Sequence, residues 1–211
     1  MKGWYEYNSK LISNSIELIK ENKNSNFNSE EKRCYSHIRD LVAITIANID
    51  KKQIKIFDYG SNIMPWSNIQ NKIDLKRIKV TIFDPFALND YAKNIDFGFP
   101  INVKNNIKKI NIDDFDMILF GSSSQYIEDF YEKIITNNIR FPKIVFFLDT
   151  PFSTSKNFTL RQKDQSETEY KVFIRNYSRL ISIMEKKGYK LIFKSSLPWE
   201  KKELINKNLF S

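Results

Sequence analysis

The sequence predicts a doubly wound α/β fold, in which helices cover both faces of a mostly parallel sheet and further helices precede it. From residue 54 onwards, apolar runs alternate with segments of helical periodicity, and repeated strand–helix units produce parallel sheets. The runs are continuously apolar rather than alternating, as expected for strands that are buried on both faces. The length of 211 residues predicts one such domain at 51–211, preceded by a helical extension or cap at 1–50.

The elements of this fold follow in order along the chain. Strands are predicted at 54–60, 79–85, 101–105, 115–123, 143–152 and 189–196. Helices are predicted at 7–21, 30–49, 68–73, 87–94, 128–138 and 172–188. The last helix has apolar residues on one face and Gly188 as its stop signal. The polar segment 153–170 is predicted to be a long loop, a kind of segment that often closes over a substrate.

Composition restricts the class of protein. Hydrophobic residues make up 41% of the chain and aromatic residues 14%, which is enough for a full core. No apolar run reaches the roughly 18 residues of a membrane-spanning helix, and the N-terminus lacks the apolar segment of a signal peptide. The single cysteine, Cys34, excludes an internal disulfide and indicates a reducing cytoplasm. One Cys and one His are too few for a Cys/His zinc site, and we expect no metal.

The net charge of +9 and the pI of 9.4 raise the question of an anionic partner. The lysines are scattered, and the densest groups, such as "KRIK" at 76–79, are short. This distribution favours a solvated surface. A nucleotide-sugar, a phosphorylated glycan, lipid headgroups or RNA remain as alternatives.

In a doubly wound sheet, ligands bind outside the carboxyl ends of the strands, so the residues that end the strands are the candidate site. The first strand ends in Asp58 and Gly60, without the Gly-x-Gly-x-x-Gly of a dinucleotide site or the Gly-Lys-Ser/Thr of a phosphate loop. S-adenosylmethionine has no pyrophosphate and therefore less need of those glycines. Its amino-acid part fits over Gly60 and Ser61, with Asp58 near its ammonium group. The alternative is that Asp58 only caps a turn.

The second strand ends in Asp84 and Pro85. Asp84 follows Asp58 by 84 − 58 = 26 residues, somewhat more than the spacing of about 20 in dinucleotide folds. A carboxylate at this position accepts hydrogen bonds from both ribose hydroxyls. A plain turn aspartate is the alternative.

The fourth strand is followed by small residues, including Ser122 and Ser123, which let a flat ring and its sulfonium approach the backbone. Tyr126 either faces the same donor pocket or packs in the core.

Two residues are candidates for the base that removes a proton from the acceptor. Asp149 emerges from the fifth strand, where it either holds and deprotonates an acceptor hydroxyl or caps a turn. His37 is the only histidine and lies on the helix before the sheet, either as a general base or as a packing residue. In the polar segment, Arg161, Gln162 and Lys163 are candidates for binding an anionic acceptor.

Several stretches together carry a family resemblance: "GWYEY", "RD" before the sheet, "IFDYGSNIMPW", "FDMILFGSSSQYIEDFYE" and "FLDTPF". Over nearly its whole length the chain resembles the class I methyltransferases of bacterial surface-polysaccharide gene clusters. That resemblance implies a Rossmann-like fold and S-adenosylmethionine as donor, without fixing the acceptor. Two departures from the family pattern are Tyr59 before Gly60 and Asp149 before Thr-Pro-Phe.

We therefore expect an S-adenosylmethionine-dependent methyltransferase that methylates an oxygen of a sugar, nucleotide-sugar or surface glycan. One alternative is an RNA methyltransferase, because the chain is basic. The other is a non-catalytic partner subunit, because the first strand is followed by a single glycine.

Overall fold

The computed structural model describes residues 40–60, 66, 69, 73–84, 99–136, 141–163 and 169–194. The helices predicted at 7–21 and 87–94, and all but two residues of the one predicted at 68–73, lie outside this part of the chain. Helix α1 covers residues 40–48 and agrees with the predicted second helix.

Five strands form the main sheet: β1 (Ile54–Tyr59), β2 (Ile78–Phe83), β3 (Ile101–Lys104), β4 (Met117–Gly121) and β5 (Ile144–Leu148). Their order is β3-β2-β1-β4-β5, and each neighbouring pair is parallel. The chain winds outwards from β1 in one direction and then returns to its other side at β4. The predicted doubly wound parallel sheet is confirmed, with its switch point between β1 and β4.

Each face of the sheet has its own hydrophobic core, because side chains alternate along each strand. On one face, Ile56 and Val80 pack with Ile46 of α1 and with Trp66. On the other, Phe57 and Phe120 belong to a cluster that is fully buried at its centre. The apolar runs of the sequence are therefore continuous because the strands are buried on both faces, as predicted.

A second, three-stranded sheet contains β6 (Phe152–Ser153), β7 (Phe158–Lys163) and β8 (Glu169–Asn176), in the order β6-β8-β7. Strands β7 and β8 form an antiparallel hairpin. The prediction of a loop over 153–170 is therefore wrong for most of the described residues. Backbone pairing, rather than an apolar composition, makes this polar segment a strand.

Helix α2 (Tyr177–Lys186) begins five residues later than predicted. Residues 172–176 belong to β8, and the side chain of Asn176 caps α2 by accepting a hydrogen bond from the Arg179 backbone N–H at 2.8 Å. Gly188 follows the helix with a φ of 86°, as the stop signal predicted. The helix predicted at 128–138 is a π-helix at Tyr131–Thr136 that begins later than predicted, and residues 137 and 138 lie outside the described residues.

The strand predicted at 189–196 is wrong for residues 189–194, which have no regular structure. A strand requires a hydrogen-bonded neighbour, and none of the described strands pairs with this segment. Leu191, Ile192 and Phe193 are correspondingly more than half exposed. Within the described residues, no helix is both long and apolar enough to cross a membrane.

Candidate functional site

The predicted site residues at the ends of β1 and β2 lie side by side at the carboxyl edge of the sheet. Asp58 is in register with Ile82, and the Gly60 N–H donates to the Phe83 carbonyl at 2.9 Å. Asp84 therefore lies beside Gly60, two positions beyond the partner of Asp58 and on the same face. A strand spacing of about 4.8 Å and a rise of about 3.3 Å per residue place the two aspartate Cα atoms about 8 Å apart.

Both carboxylates are buried, Asp58 at 2% exposure and Asp84 at 3%. The indole Nε1–H of Trp66 donates a hydrogen bond to Asp58 Oδ2 at 2.7 Å. Trp66 itself is 1% exposed within the core on that face. The bond compensates part of the cost of burying a charge, and it fixes the orientation of the carboxylate.

Gly60 occupies a position that only glycine fits well. Its φ is +73°, in the left-handed region, and a Cβ added there would lie 2.8 Å from the Ser123 Cβ. Ser123 is in turn held by its hydroxyl, which donates to the Tyr59 carbonyl at 2.5 Å. The end of β1 and the segment after β4 thus meet with no room for a side chain.

The ends of β4 and β5 are joined through Ser122 and Asp149. The Ser122 hydroxyl is 2.8 Å from Asp149 Oδ2 and 3.0 Å from the Asp149 carbonyl oxygen. Both residues have positive φ, 49° and 48°, which is unfavourable for any residue with a Cβ. Strained residues of this kind are concentrated at functional sites. Within the described chain, Asp149 Oδ1 makes no hydrogen bond.

Tyr126 follows in a 3₁₀ turn (Ser124–Tyr126) at the same edge. Its ring is 47% exposed, so the alternative of core packing is excluded. The hydroxyl donates to Gln162 Oε1 at 3.2 Å, and the ring meets Tyr170 edge-on at 6.3 Å. Burial raises the pKa of the Tyr126 phenol, and the negative charge of Asp149 adds to that increase.

Arg175 of β8 stabilises this turn through hydrogen bonds to its carbonyl groups. Its guanidinium is 7% exposed and donates to the carbonyls of Ser124 at 2.9 Å, Glu128 at 3.0 Å and Ile127. The rings of Phe130 and Tyr131 lie 5.3 and 5.6 Å from its central carbon. The hairpin is thereby fixed against the segment that carries the serines and Tyr126.

The remaining predicted residues divide into two groups. His37, Ser61 and Pro85 lie outside the described residues. Of the three hairpin residues predicted to bind an anion, Gln162 is on the face towards Tyr126, whereas its neighbours Arg161 and Lys163 are on the other face, because side chains alternate along a strand.

Other charged groups lie at the opposite, amino edge of the sheet. Asp116 pairs with Lys51 at 2.7 Å and accepts from the Lys55 backbone N–H at 2.9 Å, so its role is structural. Two open depressions of about 420 Å³ also lie away from the strand ends, one around Lys51 and one around Phe141. No cluster of three potential metal ligands occurs among the described residues.

Two comparisons identify the fold. The 1,6-didemethyltoxoflavin-N1-methyltransferase of Burkholderia thailandensis, crystallised with 1,6-didemethyltoxoflavin and S-adenosylhomocysteine, superposes with a TM-score of 0.53 over 93% of this chain and 84% of that one, at 11% identity. A Listeria monocytogenes protein described as an S-adenosylmethionine-dependent methyltransferase gives 0.50 over 80% and 93%, at 14% identity. No family model and no curated protein matches the sequence.

At 11% and 14% identity, the comparisons show the fold alone. The chain has the Rossmann-like fold of class I methyltransferases.

Proposed function

We propose that the protein is an S-adenosylmethionine-dependent methyltransferase that methylates an oxygen of a sugar, nucleotide-sugar or surface glycan in the cytoplasm. One observation carries the donor assignment: two buried carboxylates flank a left-handed glycine at the switch point of the sheet. Both methyltransferases of the same fold support it, one of them with S-adenosylhomocysteine bound.

The residues at the switch point have the chemistry that this donor requires. Asp84 would accept hydrogen bonds from the ribose hydroxyls, together with the neighbouring Pro85 segment. Asp58, oriented by Trp66, would compensate the donor's ammonium charge directly or through water. The backbone at Gly60 and Ser61 would lie under the amino-acid part, and Ser122, Ser123 and Tyr126 would border the sulfonium side. Because Asp84 is 3% exposed, the ligand reaches it only when the covering groups move aside.

Asp149 is the proposed base for the acceptor. The donor would supply an electrophilic methyl group, and the protein would hold an acceptor hydroxyl in line with it. Ser122 fixes one carboxylate oxygen of Asp149, which leaves Oδ1 as the oxygen that would take the proton. Alignment is the larger contribution, since effective molarities of positioned groups reach about 10⁵ M or more.

The segment before the sheet completes the proposal. Residues 1–50 would form a helical cap on the domain at 51–211. His37 in that cap is the second candidate for the base.

Calorimetric titration with S-adenosylmethionine and S-adenosylhomocysteine tests the proposed function. We expect a micromolar dissociation constant for the wild type and no detectable binding by Asp84→Ala. Asp116→Asn is the matched control, because it removes a carboxylate charge at the opposite edge of the sheet and should bind as the wild type does. No heat from a folded wild type at millimolar ligand would refute the enzyme and favour a non-catalytic partner subunit.

A further inference from the structure

We propose that the acceptor binds against a wall formed by Tyr126, Gln162 and Tyr170, and that the part of the acceptor that is methylated is uncharged. The inference rests on the proposed function, because it concerns the acceptor side of the same site. We call these three residues the hairpin wall.

The three side chains form one surface although they come from two separate elements. Gln162 and Tyr170 are directly paired across the hairpin and therefore lie on the same face. Tyr126, from the turn after β4, donates its hydroxyl proton to Gln162 at 3.2 Å and contacts the Tyr170 ring edge-on. Tyr126 and Gln162 are exposed, and Tyr170 is half-buried. The surface is thus ordered by its own contacts and still accessible to a ligand.

The hairpin wall lies next to the proposed base. Ser122, which hydrogen-bonds Asp149, is four residues before Tyr126. The negative charge of Asp149 makes a minor contribution to the raised pKa of the Tyr126 phenol. An acceptor held against Tyr126 would therefore lie at the same edge of the sheet as the Asp149 carboxylate.

The charges near the hairpin wall favour a neutral acceptor. Asp149 is negative, and a second negative charge beside it would be repelled. The hairpin cations Arg161, Lys163 and Lys171 lie on the strand face opposite to Gln162 and Tyr170. Arg175 shares that face, but it is buried and bonded to the carbonyls of Ser124 and Glu128. Arg161 is also engaged by Glu169 on that face, at 3.5 Å. Among the described hairpin residues, the exposed cations would therefore not compensate an anion placed beside the carboxylate.

The groups of the hairpin wall fit a hydroxylated ring. Tyrosine rings pack against the C–H surface of such a ring while their hydroxyls remain available for hydrogen bonds. The Gln162 amide offers two donors and an acceptor, which matches hydroxyl groups of either polarity. An apolar surface with a few placed polar groups is the usual composition of a small-molecule site. Neutral sugars have this combination of C–H faces and hydroxyls.

Binding of simple sugars to the protein saturated with S-adenosylhomocysteine tests this inference. The probes are methyl glucoside and methyl galactoside, with glucose 1-phosphate and galactose 1-phosphate as their charged counterparts, measured by saturation-transfer NMR. We expect millimolar binding of a neutral probe and binding at least tenfold weaker of its phosphate. Gln162→Ala and Tyr170→Ala should weaken binding of the neutral probe at least tenfold. Tyr126→Phe removes one oxygen and should weaken this binding at least threefold. Arg161→Ala and Lys163→Ala, on the other face of the same hairpin, should change it less than twofold.

Three results would overturn the inference. They are tighter binding of the phosphates than of the neutral probes, weaker sugar binding in Arg161→Ala or Lys163→Ala instead of in the variants of the hairpin wall, and no binding of either neutral probe. S-adenosylhomocysteine binding is measured first on every variant. A protein that binds this ligand and no neutral sugar refutes only the hairpin wall, whereas a protein that binds neither refutes the proposed function as well.

Discussion

Replacing Gly60 by alanine tests how closely β1 and β4 meet at the site. A residue with a Cβ at a φ of +73° costs about 1–2 kcal/mol. The new Cβ would also lie 2.8 Å from the Ser123 Cβ, and Ser123 is held by its hydrogen bond to Tyr59. Overpacking of this kind adds about 1–3 kcal/mol. We therefore expect Gly60→Ala to lower the free energy of unfolding by about 2–5 kcal/mol.

Gly188→Ala is the matched control. Its φ is +86°, but nothing lies within 4 Å of the added Cβ. The left-handed penalty and the entropy lost by the unfolded chain are then common to both variants, and the contact with Ser123 differs. In urea unfolding followed by circular dichroism, Gly60→Ala should fall below Gly188→Ala by about 0.5–1.5 M in midpoint, for a slope of about 2 kcal/mol/M.

A double-mutant cycle isolates the contact itself. Adding Ser123→Gly to Gly60→Ala removes the clashing Cβ, so the two changes together should cost less than the sum of the single costs. Equal midpoints for the two alanine variants, or strictly additive costs in the cycle, would refute the close approach of the two strand ends.

Three further predictions concern the groups around the site. Trp66→Phe removes the hydrogen bond to Asp58 and should cost about 1–3 kcal/mol in urea unfolding; a variant as stable as the wild type would contradict that bond. Arg175→Met leaves the carbonyls of Ser124 and Glu128 without their donor and should lower the free energy of unfolding by at least about 2 kcal/mol. Arg175→Lys should restore little of this stability, because an ammonium lacks the planar fork of donors. Full restoration of stability in Arg175→Lys would contradict this geometry. Burial raises the pKa of Asp116, but hydrogen bonds and charges from Lys51 and Lys55 outweigh burial and hold the pKa below its usual value of 3.8. The stability that the wild type has over Asp116→Asn should therefore be complete above pH 3.8 and disappear as the pH falls through the lower pKa of the folded state. A stability difference that does not depend on pH would contradict the pairing of Asp116 with Lys51.

The main sheet could be predicted because its physical cause is local. Strands buried on both faces need continuous apolar runs, and these are visible in the sequence without any partner. The same logic placed Asp58 and Asp84 at one edge, since the carboxyl ends of parallel strands share an edge. Their proximity therefore followed from two short segments, and the register confirms it.

The hairpin could not be predicted, because its strands depend on each other rather than on a core. Residues 158–163 are mostly polar and exposed, so they show neither an apolar run nor a clear alternation. In residues 172–176, apolar spacing fits a helix and a strand equally well, and the pairing with β7 decides between them. Asn176 was the signal that could have placed the helix start, as a favoured N-cap residue.

Two sets of contacts at the site, those of Trp66 and of Arg175, could not be predicted for a related reason. The bond from Trp66 to Asp58 joins residues eight apart, a spacing that belongs to no local motif. Arg175 stands between the apolar residues Val172–Ile174 and the polar Asn176, and a charged side chain at such a position is usually assumed to face solvent. Its carbonyl partners in the turn after β4 are 47 to 51 residues away, and only the tertiary fold brings them together.

A crystal structure with S-adenosylhomocysteine tests the central assignment most directly. We expect the ribose hydroxyls within hydrogen-bond distance of Asp84, the amino-acid part above Gly60 and its ammonium on the side of Asp58. Ligand bound elsewhere on the chain, or side chains that fill the space between the two aspartates while the protein is saturated with ligand, would contradict it.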